Sequence, residues 1–175
     1  MNRRDYKISI VGSGSVGKAI GKVLAKYGYQ VIFCDVDRER LEELASQGYQ
    51  VSEKPAEVDA DISFICVPTP NKDGRFDGSY VKAALSRLRD ISSSRAGSHA
   101  IIIKSTVLPE ILEQINGHGV CLNPEFLRSE MPEEDFENQP VVIGCIDPKA
   151  TEVLKEFYQD FKKRAKKDVE VLVTD

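Results

Sequence analysis

The stretch Gly12-Ser13-Gly14-Ser15-Val16-Gly17 constrains this chain more than any other. It follows directly on a short apolar run, residues 6–11 (YKISIV). It opens a stretch of helical spacing, residues 15–28, in which Val16, Ile20, Val23, Leu24 and Tyr27 recur at threes and fours. A G-x-G-x-x-G pattern between a strand and a helix has a physical purpose at each glycine. Gly12 permits a tight turn, Gly14 lets the backbone approach a bound pyrophosphate, and Gly17 lets the helix pack close to the strand. The helix start then presents free N–H groups and a partial positive charge to the phosphates. Residues 30–34 (QVIFC) read as the next strand. Asp35 ends it, 18 residues past Gly17, close to the roughly 20 expected of an acid that binds the ribose hydroxyls of a dinucleotide. A carboxylate there repels a 2′-phosphate, so the pattern favours NAD over NADP, an inference that Arg38 and Arg40 weaken a little.

Strand and helix patterns alternate along the rest of the chain. Asp37 suits the cap of a helix over 38–47 that Gly48 ends, and a weak strand follows at 49–51. Residues 62–67 (ISFICV) form a continuous apolar run, as in a strand covered on both faces. Residues 68–78 (PTPNKDGRFDG) are loop by composition, and Asp77 suits the start of a helix over 79–91. A strand at 99–104, a short helix at 109–116 and a strand at 119–123 come next, then loop and irregular helix over 124–139. A strand at 141–146, a helix at 148–165 and a strand at 169–174 complete the pattern. The basic run KKRAKKD (162–168) reads as a solvated helix end. This order predicts an α/β fold: a Rossmann-type, doubly wound, mainly parallel sheet with helices on both faces. At 175 residues the chain suits one dinucleotide-binding domain over 1–175.

Composition closes off other classes. A net charge of −4 argues against nucleic-acid binding, and no apolar run approaches the ~20 residues of a membrane helix. No signal-peptide core precedes the first strand. The cysteines Cys34, Cys66, Cys121 and Cys145 form no C-x-x-C pair and stand in apolar contexts. They are expected to be buried thiols in a reducing compartment, the cytoplasm, with no catalytic or metal role. His99 and His118 are expected in surface loops.

Five further motifs stand in order behind the glycine pattern: FCDVDRERLEEL, ICVPTPNKDGRFDGSYV, KSTVLPE, NPEFLRSE with EDF, and VVIG. With them the chain resembles the N-terminal domain of the UDP-glucose/GDP-mannose dehydrogenase family over essentially all 175 residues. The resemblance implies an NAD-dependent, four-electron oxidation that turns the 6-hydroxymethyl group of a sugar nucleotide into a carboxylate. It implies that Gly12, Ser13, Gly14, Ser15, Val16 and Gly17 form the pyrophosphate loop, with Asp35 on the ribose and Arg40 a basic contact on the adenosine side. Val67, Pro68, Thr69 and Pro70 would run along the cofactor. Ser105 and Thr106 would sit near the nicotinamide, the threonine linked to a catalytic water, and Glu125 would assist hydrolysis or acid–base work. These loops each follow a strand, and in such sheets ligands bind at the strands' carboxyl edge. Taken alone, Pro68 and Pro70 also suit a strand end, Thr106 a helix cap, and Glu125 an acid on a solvated loop.

The chain also departs from the pattern. Where the family has a second acid four residues after the NPEF glutamate, Ser129 stands here, with Glu130 one step later. Glu110 follows Pro109 where the family has P-G or P-x-G. The family's nucleophilic cysteine, the lysine and asparagine of its bridging helix and its sugar-nucleotide pocket belong to a second half outside these 175 residues. The expectation is therefore a chain that binds NAD without turnover on its own, its nucleotide-sugar substrate belonging to the full-length enzyme. The alternative is a natural short NAD-binding module that acts as a partner protein. Which nucleotide sugar, and which oligomeric state, the sequence leaves open.

Overall fold

The computed structural model describes residues 5–72, 74–94, 99–115, 117 and 119–174. The first half of the chain forms β1 (Lys7–Val11), α1 (Ser15–Lys26), β2 (Gln30–Cys34), α2 (Arg38–Ser46), β3 (Gln50–Ser52), a 3-10 turn (Pro55–Glu57) and β4 (Ile62–Ile65). A small hairpin of β5 (Asn71–Lys72) and β6 (Arg75–Phe76) leads into α3 (Ser79–Ser94). There follow β7 (Ala100–Ile103), α4 (Pro109–Ile115), β8 (Val120–Leu122), α5 (Pro132–Asn138), β9 (Val141–Gly144), α6 (Pro148–Ala165) and β10 (Val171–Thr174). Eight strands form one sheet in the order β10-β9-β8-β7-β4-β1-β2-β3. The chain runs outward from β1 to β3, then crosses back to β4 on the other side of β1. This reversal opens a crevice at the carboxyl ends of β1 and β4.

The central strands are apolar on both faces because helices cover both. Successive residues alternate between two cores. Ile8, Ile10, Ile62, Phe64, Ala100 and Ile102 join one core with Ile20 and Leu24 of α1 and with Leu154, Phe157 and Phe161 of α6. Val11, Ile65, Ile101 and Ile103 join the other with Val81, Leu85 and Leu88 of α3 and Ile115 of α4. The expected helix boundaries have local causes. Asp37 caps α2 by accepting from the N–H groups of Glu39 and Arg40, and Gly28 and Gly48 take positive φ just past α1 and α2. Asp77 Oδ1 accepts from Ser79 N at the start of α3. No helix of the described residues is long and apolar enough to cross a membrane.

Four features differ from the sequence reading. Residues 71–72 and 75–76, expected as loop, pair as the small hairpin. The strand expected over 62–67 ends at Ile65, because Cys66 turns away over the glycine loop. Cys121 and Cys145 are joined by a disulfide, Cα atoms 4.5 Å apart, and so are not free thiols. The cause is strand direction: β8 pairs antiparallel with β9 through Leu122 and Gly144, and the same register sets Cys121 opposite Cys145. Non-hydrogen-bonded antiparallel pairs lie about 4.5 Å apart. Finally, His99 is buried rather than in a surface loop. Its Nε2 shares a 2.8 Å hydrogen bond with Ser63 Oγ, which lies 2.6 Å from Ser9 Oγ. His118 lies outside the described residues.

Candidate functional site

The carboxyl ends of the strands are level. Val11 pairs with Cys34 and Ile65, Ile65 with Ile103, and Ile103 with Leu122. The next residue after each strand therefore forms a row: Asp35, Gly12, Cys66, Lys104 and Asn123. Pro68, Thr106 and Glu125 each follow two residues further along the loops that leave this row. Register alone thus brings the VPTP, STV and NPEF segments to one edge.

The glycine loop at that edge is shaped by close approach. Gly12 has φ of +95°, and a Cβ there would stand 2.7 Å from the Cys66 carbonyl carbon and oxygen. The backbone of the loop after β4 lies directly on it. A Cβ on Gly17 would stand 1.9 Å from the Gly12 carbonyl oxygen, which brings α1 down onto the turn. Gly14 is the opposite case: the nearest atom to an added Cβ is Arg40 Nη1, 4.0 Å away. Gly14 is the N-cap of α1, with no side chain capping the helix and no acid in its first turn. The positive end of the α1 dipole thus faces open space lined by backbone. Ser13 is buried, while Ser15 and Val16 lie on the first turn of α1, Ser15 exposed and Val16 half-buried.

Asp35 is held in place before any ligand arrives. Its carboxylate accepts from Ser13 N at 2.6 Å and from Asp37 N at 3.0 Å. Arg40 Nη1 lies 3.7 Å from Asp35 Oδ2 and Arg40 Nε 3.1 Å from Asp37 Oδ2, so its guanidinium lies beside the acid, near Gly14. Arg38 pairs instead with Glu53 at 3.0 Å. Arg38 is thus turned to Glu53, while Arg40 stays beside Asp35.

On the other side of the crevice, Ser105 is buried and its hydroxyl donates to Val67 O at 2.7 Å. The hydroxyl clips the end of β7 to the loop after β4. Pro68 is exposed, and Val67, Thr69 and Pro70 are half-buried. Pro70 O accepts from Asp77 N at 2.9 Å, closing the loop that carries the small hairpin. Thr106 is exposed and three residues short of α4, so it is not that helix's cap. Glu125 is half-buried, with Oε2 accepting from Leu127 N at 2.7 Å. Ser129 and Glu130 are both exposed on the following loop. That loop is held by Arg128, whose Nη2 lies 2.6 Å from Asp135.

Sequence reasoning passed over the residues beneath this edge. Lys104 is 1% exposed. Its Nζ donates to Asn123 Oδ1 at 3.1 Å and to Pro124 O at 3.3 Å. Burial pushes the ammonium down to about 8, opposed by Cys66 and Glu125, which favour its charge. Tyr158 OH also donates to Asn123 Oδ1, and Asn123 Nδ2 donates to Val142 O at 2.7 Å. The available signal was a lysine closing an otherwise apolar strand, HAIIIK. Burial pushes the thiols of Cys34 and Cys66 up to about 12, which favours their neutral form.

Comparison with known proteins identifies the family. The model of the UDP-glucose/GDP-mannose dehydrogenase family, NAD binding domain, matches residues 54–162. A second model, NADP oxidoreductase coenzyme F420-dependent, matches residues 7–86, the part that holds the glycine loop and Asp35. The GDP-mannose 6-dehydrogenase of Pseudomonas aeruginosa is 31% identical over 192 aligned residues, which take in 88% of this chain and 44% of that protein. The UDP-glucose 6-dehydrogenase of Rhizobium meliloti is 30% identical, over 87% of this chain and 43% of its own length. A solved UDP-glucose dehydrogenase from Pyrobaculum islandicum superposes with a TM-score of 0.77 at 28% identity, covering 98% of this chain and 46% of that one. The chain therefore spans less than half the length of these three relatives.

Proposed function

The chain belongs to the UDP-glucose/GDP-mannose dehydrogenase family, in its NAD binding domain, and we propose that it is the cofactor-holding part of a nucleotide-sugar 6-dehydrogenase. The observation that carries this reading is the open, uncapped start of α1 at Gly14 beside a carboxylate already oriented at Asp35. A pyrophosphate needs backbone N–H groups and room to approach, and the loop from Gly12 to Gly17 supplies both. Each Asp35 oxygen accepts one backbone N–H and retains a second lone pair for a ribose hydroxyl. Arg40 would flank the adenosine side, and Val67 to Pro70 with Ser105 and Thr106 would line the rest of the cofactor. Bound NAD would supply the hydride acceptor.

Thr106 and Glu125 lie on the loops that leave the neighbouring strands β7 and β8, one with a hydroxyl and one with a carboxylate. Together they suit the holding of a water and the movement of its proton. In this reading the whole protein oxidises the C6 alcohol of a nucleotide sugar to a carboxylate, using residues outside these 175. The chain itself, a single domain over residues 1–175, binds NAD(H) without turnover. The relatives matched are dehydrogenases along nearly the whole chain, which favours this reading over a free-standing binding module.

A fluorescence titration of the chain with NADH tests the proposal. Saturable binding is expected, and Asp35→Ala should weaken it roughly 10- to 150-fold, the equivalent of about 1.5–3 kcal/mol for hydrogen bonds to a charged acceptor. Equal affinity in the two proteins would remove Asp35 from the site.

A further inference from the structure

We infer that Lys104 is a positioning residue: its ammonium, sealed beneath the ends of β7 and β8, holds the Asn123-Pro124 backbone on which Glu125 stands. What Glu125 does there rests on the function proposed above; the holding itself does not.

The geometry converges on one atom. Lys104 and Asn123 are neighbours in the row just past the strand ends, and they are 1% and 2% exposed. The lysine donates both to the Asn123 side chain and to the Pro124 carbonyl. It therefore grips the residue before Glu125 by its main chain and the residue before that by its side chain. Asn123 is pinned from two other directions, by Tyr158 of α6 and by the Val142 carbonyl of β9. Three elements thus meet at one amide, and the lysine is the charged member. A buried ammonium is costly to keep in a protein core. This one has two oxygen acceptors and lies 5.9 Å from the centre of the Phe136 ring of α5.

The groups that face it are few. From the end of β4 comes the Cys66 thiol, from the loop after β8 the Glu125 carboxyl, from α6 the Tyr158 hydroxyl, and from α5 the Phe136 ring. Burial pushes both the Cys66 thiol, to about 12, and the Tyr158 hydroxyl upward. Burial in turn lowers the Lys104 ammonium to about 8, within reach of a titration above neutrality. Losing its proton removes the charge from both hydrogen bonds without removing any side chain. A change in the Glu125 loop over that pH range therefore reads the ammonium rather than packing.

The test is an NMR titration of the 175-residue chain without cofactor, from about pH 6.5 to 9.5. The Lys104 side-chain carbon resonance gives its own midpoint. The amides of Glu125 and Leu127, the latter bonded to the Glu125 carboxylate, report the loop. Both amides are expected to move with the Lys104 midpoint, and Lys104→Met is expected to abolish that movement. Amides that stay still while Lys104 titrates would overturn the inference. So would the same movement persisting in Lys104→Met. The wild-type comparison decides the matter even where the variant fails to fold. A wild-type chain that shows this coupling and does not bind NADH would sink the cofactor reading and leave the role of Lys104 standing.

Discussion

At the β1–α1 turn the site is made of backbone, and what matters is the absence of side chains. At the ends of β7 and β8 it is made of side chains reaching across the sheet. The first region spans Gly12 to Gly17, and its partner Asp35 follows on the neighbouring strand. The second joins Lys104 to Asn123 and Asn123 to Tyr158, separations of 19 and 35 residues, and ties Cys121 to Cys145 across 24. A backbone site tolerates almost any residue that leaves space, but it fails where a Cβ meets a main-chain atom. A side-chain network fails in smaller steps, one hydrogen bond at a time.

That contrast can be broken by stability measurements. Gly17→Ala would place a Cβ 1.9 Å from the Gly12 carbonyl oxygen. Because that neighbour is main chain, α1 must shift, and urea unfolding should show a loss of at least about 4 kcal/mol or no folded protein. A loss below about 1 kcal/mol would show that the turn yields as easily as a side chain. Cys145→Ser should lower stability by about 2–4 kcal/mol under oxidising conditions, since a closed loop restrains the unfolded chain. With reductant present the two proteins should unfold alike. A deficit that persists would place the effect in packing instead.

Tyr158→Phe keeps the ring in the core with Phe157 and removes one donor to Asn123. A loss of about 1–2 kcal/mol is expected in the same assay. A neutral result would mean that Lys104 alone satisfies the Asn123 oxygen. The smallest stability change is expected for Gly14→Val, less than about 1 kcal/mol, since its Cβ meets nothing closer than 4.0 Å. Yet its side chain would fill the space above the start of α1, and the NADH titration should show binding lost. Binding at wild-type affinity would move the pyrophosphate elsewhere.

The same contrast explains what could be read from the chain alone. The glycine loop, Asp35 and the capping role of Asp37 depend on neighbours within a few residues or on a fixed spacing, so the sequence carried them. The alternation of buried residues carried the two-faced sheet. Nothing local marks the direction of β9, because VVIG pairs equally well either way. The antiparallel register was therefore invisible, and with it the pairing of Cys121 with Cys145. His99 looked like a turn residue because AGSHA is turn-like, and only the fold brings Ser63 to its ring. Lys104 looked like the polar end of a strand. Its burial follows from β8, α5 and α6 closing over it, each from a distant part of the chain.

The disulfide also changes what it means to cut this chain. The segment from Cys121 to Cys145 is a covalent ring, and it contains Glu125 and the exposed Arg128. A protease that cleaves after Arg128 opens the ring without dividing the molecule, because the two pieces remain linked through sulfur. Continuity of the main chain and integrity of the molecule are thus separate properties here. A single nick in the loop that carries the acid would release no fragment until a reductant broke the second connection.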